Sequence, residues 1–284
     1  MKKIVLLSLI VLFSSTIQAQ SKLTQYANAQ ETVPFGIVER IQSESIGEER
    51  ILNVCLPFGY HPDSAATYPV IYLLDGSAHE DYPHVAGLIQ FLNMYELIPN
   101  TILVGIENVD RYRDFSFPSD DTLDLESLPT SGGGEQFIRF LETECKPFIE
   151  KKYNTNGHST IVGQSMGGLI ATEILIKNEQ LFDDYIIISP SLWWNQQELV
   201  NGAREHFRGN TTLEGKIFIS LGQEHPVMHD VANMLIDAIR NSGNTEVELY
   251  YEPIRTEDHA TILHKAIYRA FEFFYPKKVE EEGD

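Results

Sequence analysis

The sequence is poor in cysteine and in positive charge. Two cysteines, Cys55 and Cys145, occur among 284 residues, which excludes a small scaffold held together by disulfides. Both are expected to be buried thiols, although an oxidising compartment would permit a bridge whose geometry cannot be read from sequence. Lys and Arg number 21 against 41 Asp and Glu. A chain with a formal charge of −20 is not expected to bind nucleic acid.

Long apolar segments are also scarce, and the one that stands out lies at the N-terminus. Met1-Lys2-Lys3 precedes an apolar run over residues 4–13, and small and polar residues lead to Ala19. This pattern is typical of a signal peptide cleaved after Ala19, with an uncleaved N-terminal anchor as the alternative. No second run of membrane length follows. We therefore expect residues 20–284 to form a single domain, periplasmic or secreted, without a membrane segment.

The remaining chain alternates between two hydrophobic periods. Short β-branched and apolar runs predict strands at 50–57, 68–74, 101–106, 159–163, 185–189, 216–221 and 246–251. Helical spacing appears at 134–153, 167–178, 227–242 and 260–275. This alternation predicts an α/β fold with a mainly parallel central sheet and helices on both faces, the earliest strands pairing antiparallel at one edge.

Two segments interrupt the alternation and are expected to be loops over the sheet. Residues 107–134 are rich in Asp, Ser, Pro and Gly, and residues 190–215 carry both tryptophans of the chain. Each begins where a predicted strand ends, which is where open α/β sheets bind ligands. The sequence therefore places a binding site at the carboxyl edge of the sheet.

The sequence Gly163-Gln164-Ser165-Met166-Gly167 lies between a predicted strand and a predicted helix. This is the context of the Gly-x-Ser-x-Gly nucleophile elbow of α/β-hydrolases, in which glycines leave room for a sharp, strained turn. We therefore predict that Ser165 is a nucleophile.

A serine hydroxyl needs an adjacent base, and in this fold the acid and then the histidine follow it along the chain. Histidines lie downstream at 206, 225, 229, 259 and 264. Of these, His259 stands after the last predicted strand and before the last helix, where the general base is expected.

The acid should follow the preceding strand, where Glu224 is the first candidate and Asp230 the second. Glu224 could instead be a carboxylate favoured by a helix N-terminus. The backbone N–H groups of Met166 and Ser77 are expected to bind the developing oxyanion, unless the segment around Ser77 is a plain β-turn.

Several further segments occur in the same order as in one known family: Leu73-Leu74-Asp75-Gly76, Val104-Gly105-Ile106, Arg113-Asp114, residues 163–168, Ser189-Pro190-Ser191 and His259. Over nearly the whole mature chain the sequence resembles the "putative esterase" family, which includes siderophore esterases, S-formylglutathione hydrolases, feruloyl and acetyl-xylan esterases and mycolyltransferases. The segment 189–194 looks most like the siderophore-esterase branch. The resemblance implies a serine esterase without cofactor or metal, acting on a small-molecule or glycan ester. Some relatives use a serine-histidine pair without a well-placed acid, so a triad and a dyad both stay open.

The resemblance also places Arg113 near the substrate, although neighbouring acidic residues could hold it instead. Trp193 and Trp194 could form an aromatic wall for a planar acyl group, or pack in the core. A carbohydrate esterase is an alternative reading of the function, and an acyltransferase or a non-catalytic binding protein is the alternative from another class. The histidines His79 and His84 lack the ligand spacing of a zinc site. The sequence predicts neither the acyl and alcohol groups nor the oligomeric state.

Overall fold

A computed structural model describes residues 35–208 and 213–277. The signal peptide predicted at 1–19 lies outside these residues. Within these residues eight strands form one sheet: β1 (Ile37–Gln42), β2 (Glu49–Cys55), β3 (Tyr68–Leu73), β4 (Ile102–Ile106), β5 (Thr155–Gln164), β6 (Asp184–Ile188), β7 (Gly215–Leu221) and β8 (Val247–Pro253). Their order is β1-β2-β4-β3-β5-β6-β7-β8. The strands from β3 to β8 run parallel, and β1 and β2 pair antiparallel at one edge.

The helices that cover the sheet follow its strands. They are α1 (Tyr82–Met94), α2 (Arg111–Asp114), α3 (Thr122–Ser127), α4 (Gly134–Phe140), α5 (Lys146–Lys152), α6 (Met166–Lys177), α7 (Trp194–Arg208), α8 (Pro226–Arg240) and α9 (Ile262–Phe274). A π-helical turn, Leu141–Cys145, joins α4 to α5. No helix among the described residues is long and apolar enough to cross a membrane.

The core consists of two apolar layers separated by the sheet. Along β3, Val70 and Tyr72 face the layer covered by α4 to α8, whereas Ile71 and Leu73 face the layer covered by α1 and α9. Central strands such as β6, in which every residue is buried, read as continuous apolar runs because both faces are covered. The predicted α/β fold with helices on both faces is confirmed.

The two cysteines lie against opposite faces of this sheet. Cys145 is fully buried in the layer under α4 to α8, whereas Cys55 packs against the other layer. Both are free thiols. The sheet between them prevents the bridge that the sequence left open.

Several elements differ from the sequence prediction, among them the short helices α2 and α3, which lie within the expected loop 107–134. Residues 194–208, expected to be loop, form α7, whose first turn contains three residues in the left-handed region, Asn195, Gln196 and Gln197. Helix α1 and the edge strand β1 were not predicted. In β1 a single residue is buried, so the alternation that marks a strand is weak.

Candidate active site

Ser165 occupies the turn between β5 and α6 with φ 58° and ψ −117°. This strained conformation needs close backbone approach on both sides. A Cβ at Gly163 would lie 2.2 Å from the carbonyl oxygen of Gly167, and one at Gly168 would lie 2.9 Å from Cα of Pro190. The glycines are therefore what allows the elbow to form.

Three side chains from separate loops form one hydrogen-bonded line. Ser165 Oγ lies 3.0 Å from His259 Nε2, and His259 Nδ1 lies 3.1 Å from Glu224 Oε2. The His259 side chain is 46% exposed and that of Glu224 is 2% exposed. A buried carboxylate thus orients an imidazole whose other nitrogen reaches a hydroxyl at the surface.

The Glu224 carboxylate is fixed by two further donors. Its Oε1 accepts a hydrogen bond from the hydroxyl of Ser189, a residue in the left-handed region (φ 44°), and one from the N–H of Gly222 at 3.3 Å. Burial acts to raise the pKa of Glu224, but the hydrogen bonds from His259 and Ser189 outweigh it and the pKa is lowered. Glu224 is accordingly an anion that accepts the Nδ1 proton of His259.

The loop that carries His259 is hydrogen-bonded to the loop after β7 and to the last residue of β5. The N–H of Gln223 donates to the carbonyl oxygen of Glu257 at 2.6 Å, and the side-chain amide of Gln164 donates to the carbonyl of His259. A Cβ at Gly222 would lie 2.6 Å from the carbonyl oxygen of Glu257, so this contact requires glycine. The main chain of His259 is therefore anchored on the residue next to Ser165.

The loop after β3 packs against β4 and the elbow. A Cβ at Gly76 would lie 2.4 Å from Cα of Gly105, and Asn53 donates to the carbonyl of Gly76 at 2.9 Å. The predicted oxyanion donors are the N–H groups of Met166, the first residue of α6, and of Ser77, in the loop after β3.

An ion pair that the sequence did not predict connects this loop to the elbow. Arg111 donates to both carboxylate oxygens of Asp75, at 2.6 and 2.8 Å, and to the carbonyl oxygen of Gln164 at 3.4 Å. Its guanidinium lies over the ring of Phe115. Arg111 therefore joins the loop after β3 to the residue preceding Ser165.

Two predicted substrate contacts lie elsewhere. The guanidinium of Arg113 donates to Glu48 at 2.6 Å and to Asp114 at 2.8 Å, in an ionic cluster completed by the buried Arg50. Arg113 is thus held by its acidic neighbours, and Arg111, two residues earlier, reaches the site instead. Trp194 is fully buried, and its indole N–H donates to the carbonyl of Phe117 at 2.9 Å, so it has no surface for a ligand.

The two other residues that the sequence analysis considered, Trp193 and Asp230, are at least partly exposed. Trp193 is partly exposed and packs edge to face on Trp194, so part of its side chain remains at the surface. Asp230 is exposed on α8, and His259 Nδ1 bonds to Glu224 instead. No group of three or more His, Cys, Asp or Glu side chains in the described part of the chain could hold a metal ion.

Ser189 and Ser191 also reach the site, although the sequence analysis gave them no role. They flank Pro190 directly after β6, the strand next to β5. Their position at the carboxyl end of an adjacent parallel strand is the signal that could have revealed them.

Comparisons with known proteins show the family to which the chain belongs. The model of the "Putative esterase" family matches residues 43–260. The chain is 29% identical over 263 residues to the ferri-bacillibactin esterase BesA of Bacillus subtilis, covering 85% of this chain and 90% of that one. Among solved structures, an IroE-like serine hydrolase from Shewanella oneidensis has a TM-score of 0.77 and 26% identity, covering 84% and 80% of the two chains. The BES protein from Bacillus cereus has a TM-score of 0.76 and 25% identity, covering 87% and 97%.

The fold and the match over most of the chain define the class as an α/β-hydrolase that cleaves carboxylic esters. The chain belongs to the putative esterase family. Its similarity to the ferri-bacillibactin esterase BesA extends over 85% of this chain and 90% of that one.

Proposed function

We propose that the protein is a serine esterase that hydrolyses its substrate through an acyl-enzyme formed on Ser165. The observation that carries this proposal is the line from Glu224 through His259 to Ser165, with distances of 3.1 and 3.0 Å. This is the arrangement in which a base removes the proton of a serine hydroxyl and a carboxylate stabilises the imidazolium that results.

In the first step Ser165 Oγ attacks the acyl carbon, and its proton passes to His259 Nε2. The carbonyl oxygen becomes an oxyanion, for which the N–H groups of Met166 and Ser77 are the proposed donors. As this intermediate collapses, the alcohol leaves with the proton that His259 returns. Water then attacks the acyl carbon of the acyl-enzyme, with His259 as base. This step releases the acid and restores the Ser165 hydroxyl.

For the substrate we propose an ester of the siderophore type. The full-length similarity to a ferri-bacillibactin esterase supports this class. The exposed His259 side chain suits a bulky substrate, and Val109 and Tyr112, which flank the Arg111 segment, add exposed apolar surface. Export, with cleavage after Ala19, is part of the proposal and would place the enzyme in the periplasm or outside the cell.

The mechanism is tested by chromophore release from a p-nitrophenyl ester. Ser165→Ala is expected to abolish turnover, and Glu224→Ala to lower kcat by roughly 10²- to 10⁴-fold. Asp230→Ala is the matched control, because it removes an exposed carboxylate from the neighbouring helix and should retain the wild-type rate. Unchanged turnover in folded Ser165→Ala would refute the mechanism, and a wild-type rate in Glu224→Ala would indicate a serine-histidine dyad.

The substrate class is tested by comparing kcat/KM for ferri-bacillibactin and for methyl ferulate, with products separated by chromatography. A kcat/KM higher by at least roughly tenfold for the siderophore supports the proposal, since tenfold corresponds to about 1.4 kcal/mol of transition-state binding. A preference for the ferulate would favour a carbohydrate esterase.

A further inference from the structure

The hydroxyl of Ser191 lies beside the nucleophile. Ser191 Oγ is 3.3 Å from Ser165 Oγ, and the N–H of Ser191 donates to the carbonyl oxygen of Ser165 at 3.0 Å. Ser191 is only 3% exposed. Among the described residues its hydroxyl has no hydrogen-bond partner other than Ser165. A buried hydroxyl with a single partner is expected to use it.

The direction of this hydrogen bond follows from the rest of the site. In the proposed mechanism His259 acts as the base, so its imidazole is neutral; with the Nδ1 proton donated to Glu224, Nε2 accepts from Ser165. The single proton of the Ser165 hydroxyl is then engaged with His259. Ser191 is therefore the donor, and Ser165 Oγ accepts its hydrogen bond through a lone pair.

We propose that Ser191 is a further catalytic residue, whose hydroxyl stabilises negative charge on Ser165 Oγ in both half-reactions. The proposal rests on the acyl-enzyme mechanism above. In acylation, Oγ gains charge as its proton moves to His259. In deacylation, the bond between the acyl carbon and Oγ breaks, its electron pair stays on Oγ, and His259 returns the proton. The hydrogen bond that Ser191 donates to Oγ becomes stronger as this charge develops.

The proposal predicts a kinetic effect that a packing role would not produce. Loss of a hydrogen bond to a group that becomes charged should slow both acylation and deacylation by roughly 10- to 100-fold in Ser191→Ala. Binding of the substrate before reaction should be unchanged, because the charge on Oγ arises after binding. Ser191→Cys, which retains the volume but has a weak S–H donor, should have intermediate rates.

The experiment is stopped-flow measurement of the p-nitrophenol burst and of the steady rate that follows. Ser220→Ala is the matched control, because Ser220 is a fully buried serine on β7 whose hydroxyl donates to the carbonyl of Glu252. It should retain both rates. Circular dichroism reports folding of each variant, and if Ser191→Ala does not fold, Ser191→Cys decides by itself.

Labelling with a fluorophosphonate separates this proposal from the mechanism on which it rests. Wild-type protein should gain one label at Ser165, located by mass spectrometry, and Ser165→Ala should gain none. Wild-type rates in Ser191→Cys and in folded Ser191→Ala, with Ser165 labelled normally, would overturn the role of Ser191 alone. Absence of the label and of turnover in the wild type would overturn both proposals.

Discussion

At the scale of single residues, the site depends on side chains whose protonation and orientation are set by contacts with other loops. Glu224 is the clearest case, because its side chain is almost fully buried and yet its pKa is lowered. The hydrogen bonds from His259 and Ser189 favour the anion more than burial disfavours it. Native structure and ionisation of Glu224 therefore favour each other.

This coupling predicts that Glu224→Gln destabilises the protein in a pH-dependent way. A carboxyl whose folded-state pKa is depressed contributes stability above its unfolded pKa and loses that stability as the pH falls through the folded pKa. The difference in the free energy of unfolding between wild type and Glu224→Gln should be present at pH 7 and shrink below the ordinary value of 4.5. Urea unfolding at several pH values measures it, and a difference that is constant with pH would contradict the expectation.

At the scale of elements, the elbow between β5 and α6 depends on backbone atoms that approach more closely than a side chain allows. Gly163 lies against the carbonyl of Gly167, and Gly168 lies against Pro190. The strained backbone conformation of Ser165 persists because the surrounding main-chain atoms hold the turn in place. The cost of disturbing this turn should therefore be large and local.

Gly163→Ala is expected to destabilise the protein by roughly 3 kcal/mol or more, since its Cβ would overlap main-chain atoms that cannot move aside. The matched control is Gly202→Ala, in helix α7, where a Cβ would meet nothing within 4 Å. This control should be more stable than wild type by about 0.5–1 kcal/mol, because alanine favours a helix. Thermal or urea unfolding compares the two, and equal effects would contradict the assigned role of the elbow.

The ion pair of Arg111 and Asp75 should connect the loop after β3 to the elbow energetically. A double-mutant cycle with Arg111→Ala and Asp75→Asn is expected to give a coupling free energy of about 1–3 kcal/mol, because the pair is bidentate and partly buried. The control is the exposed pair Arg139 and Glu135, for which about 0.5 kcal/mol or less is expected. Urea unfolding of the single and double variants provides both values. A coupling near zero for Arg111 and Asp75 would show that the loop is held by its backbone contacts alone.

At the scale of the whole molecule, the sheet separates two apolar layers and with them the two cysteines. Cys145 is enclosed under α4 to α8 and Cys55 lies on the other side. Burial raises the pKa of Cys145 to about 12 and also raises the pKa of Cys55. Because the thiolate is the reactive form, both residues should be inert while the protein is folded.

The prediction is that the native protein reacts slowly with Ellman's reagent and releases two thiol equivalents once it is unfolded in denaturant. The melting temperature should not change when a reductant is added, because no disulfide restrains the unfolded chain. Cys55→Ser serves as the control that assigns the remaining thiol to Cys145. A lower melting temperature in reductant, together with a missing thiol, would indicate a bridge.

The fold was largely predictable because its central strands are apolar on both faces and its helices carry regular hydrophobic spacing. The position of Ser165 was predictable for a similar reason, since a glycine-flanked serine between a strand and a helix is a local pattern. Helix α7 was not predicted, because its first turn is left-handed and its polar residues resemble a loop. Arg111 was missed because nothing in the sequence distinguishes it from Arg113.

The sequence by itself therefore determined the α/β class, the elbow and the order in which serine, acid and histidine follow one another. The class and the elbow depend on residues that are near one another in the chain, and the order of the three residues follows from the fold that the elbow indicates. The tertiary structure decided which arginine reaches the elbow, that Trp194 is enclosed, and that Ser189 and Ser191 lie beside Glu224 and Ser165. Such contacts join the ends of different strands, and their distances are set by how the parallel strands align in the sheet, which no local pattern records.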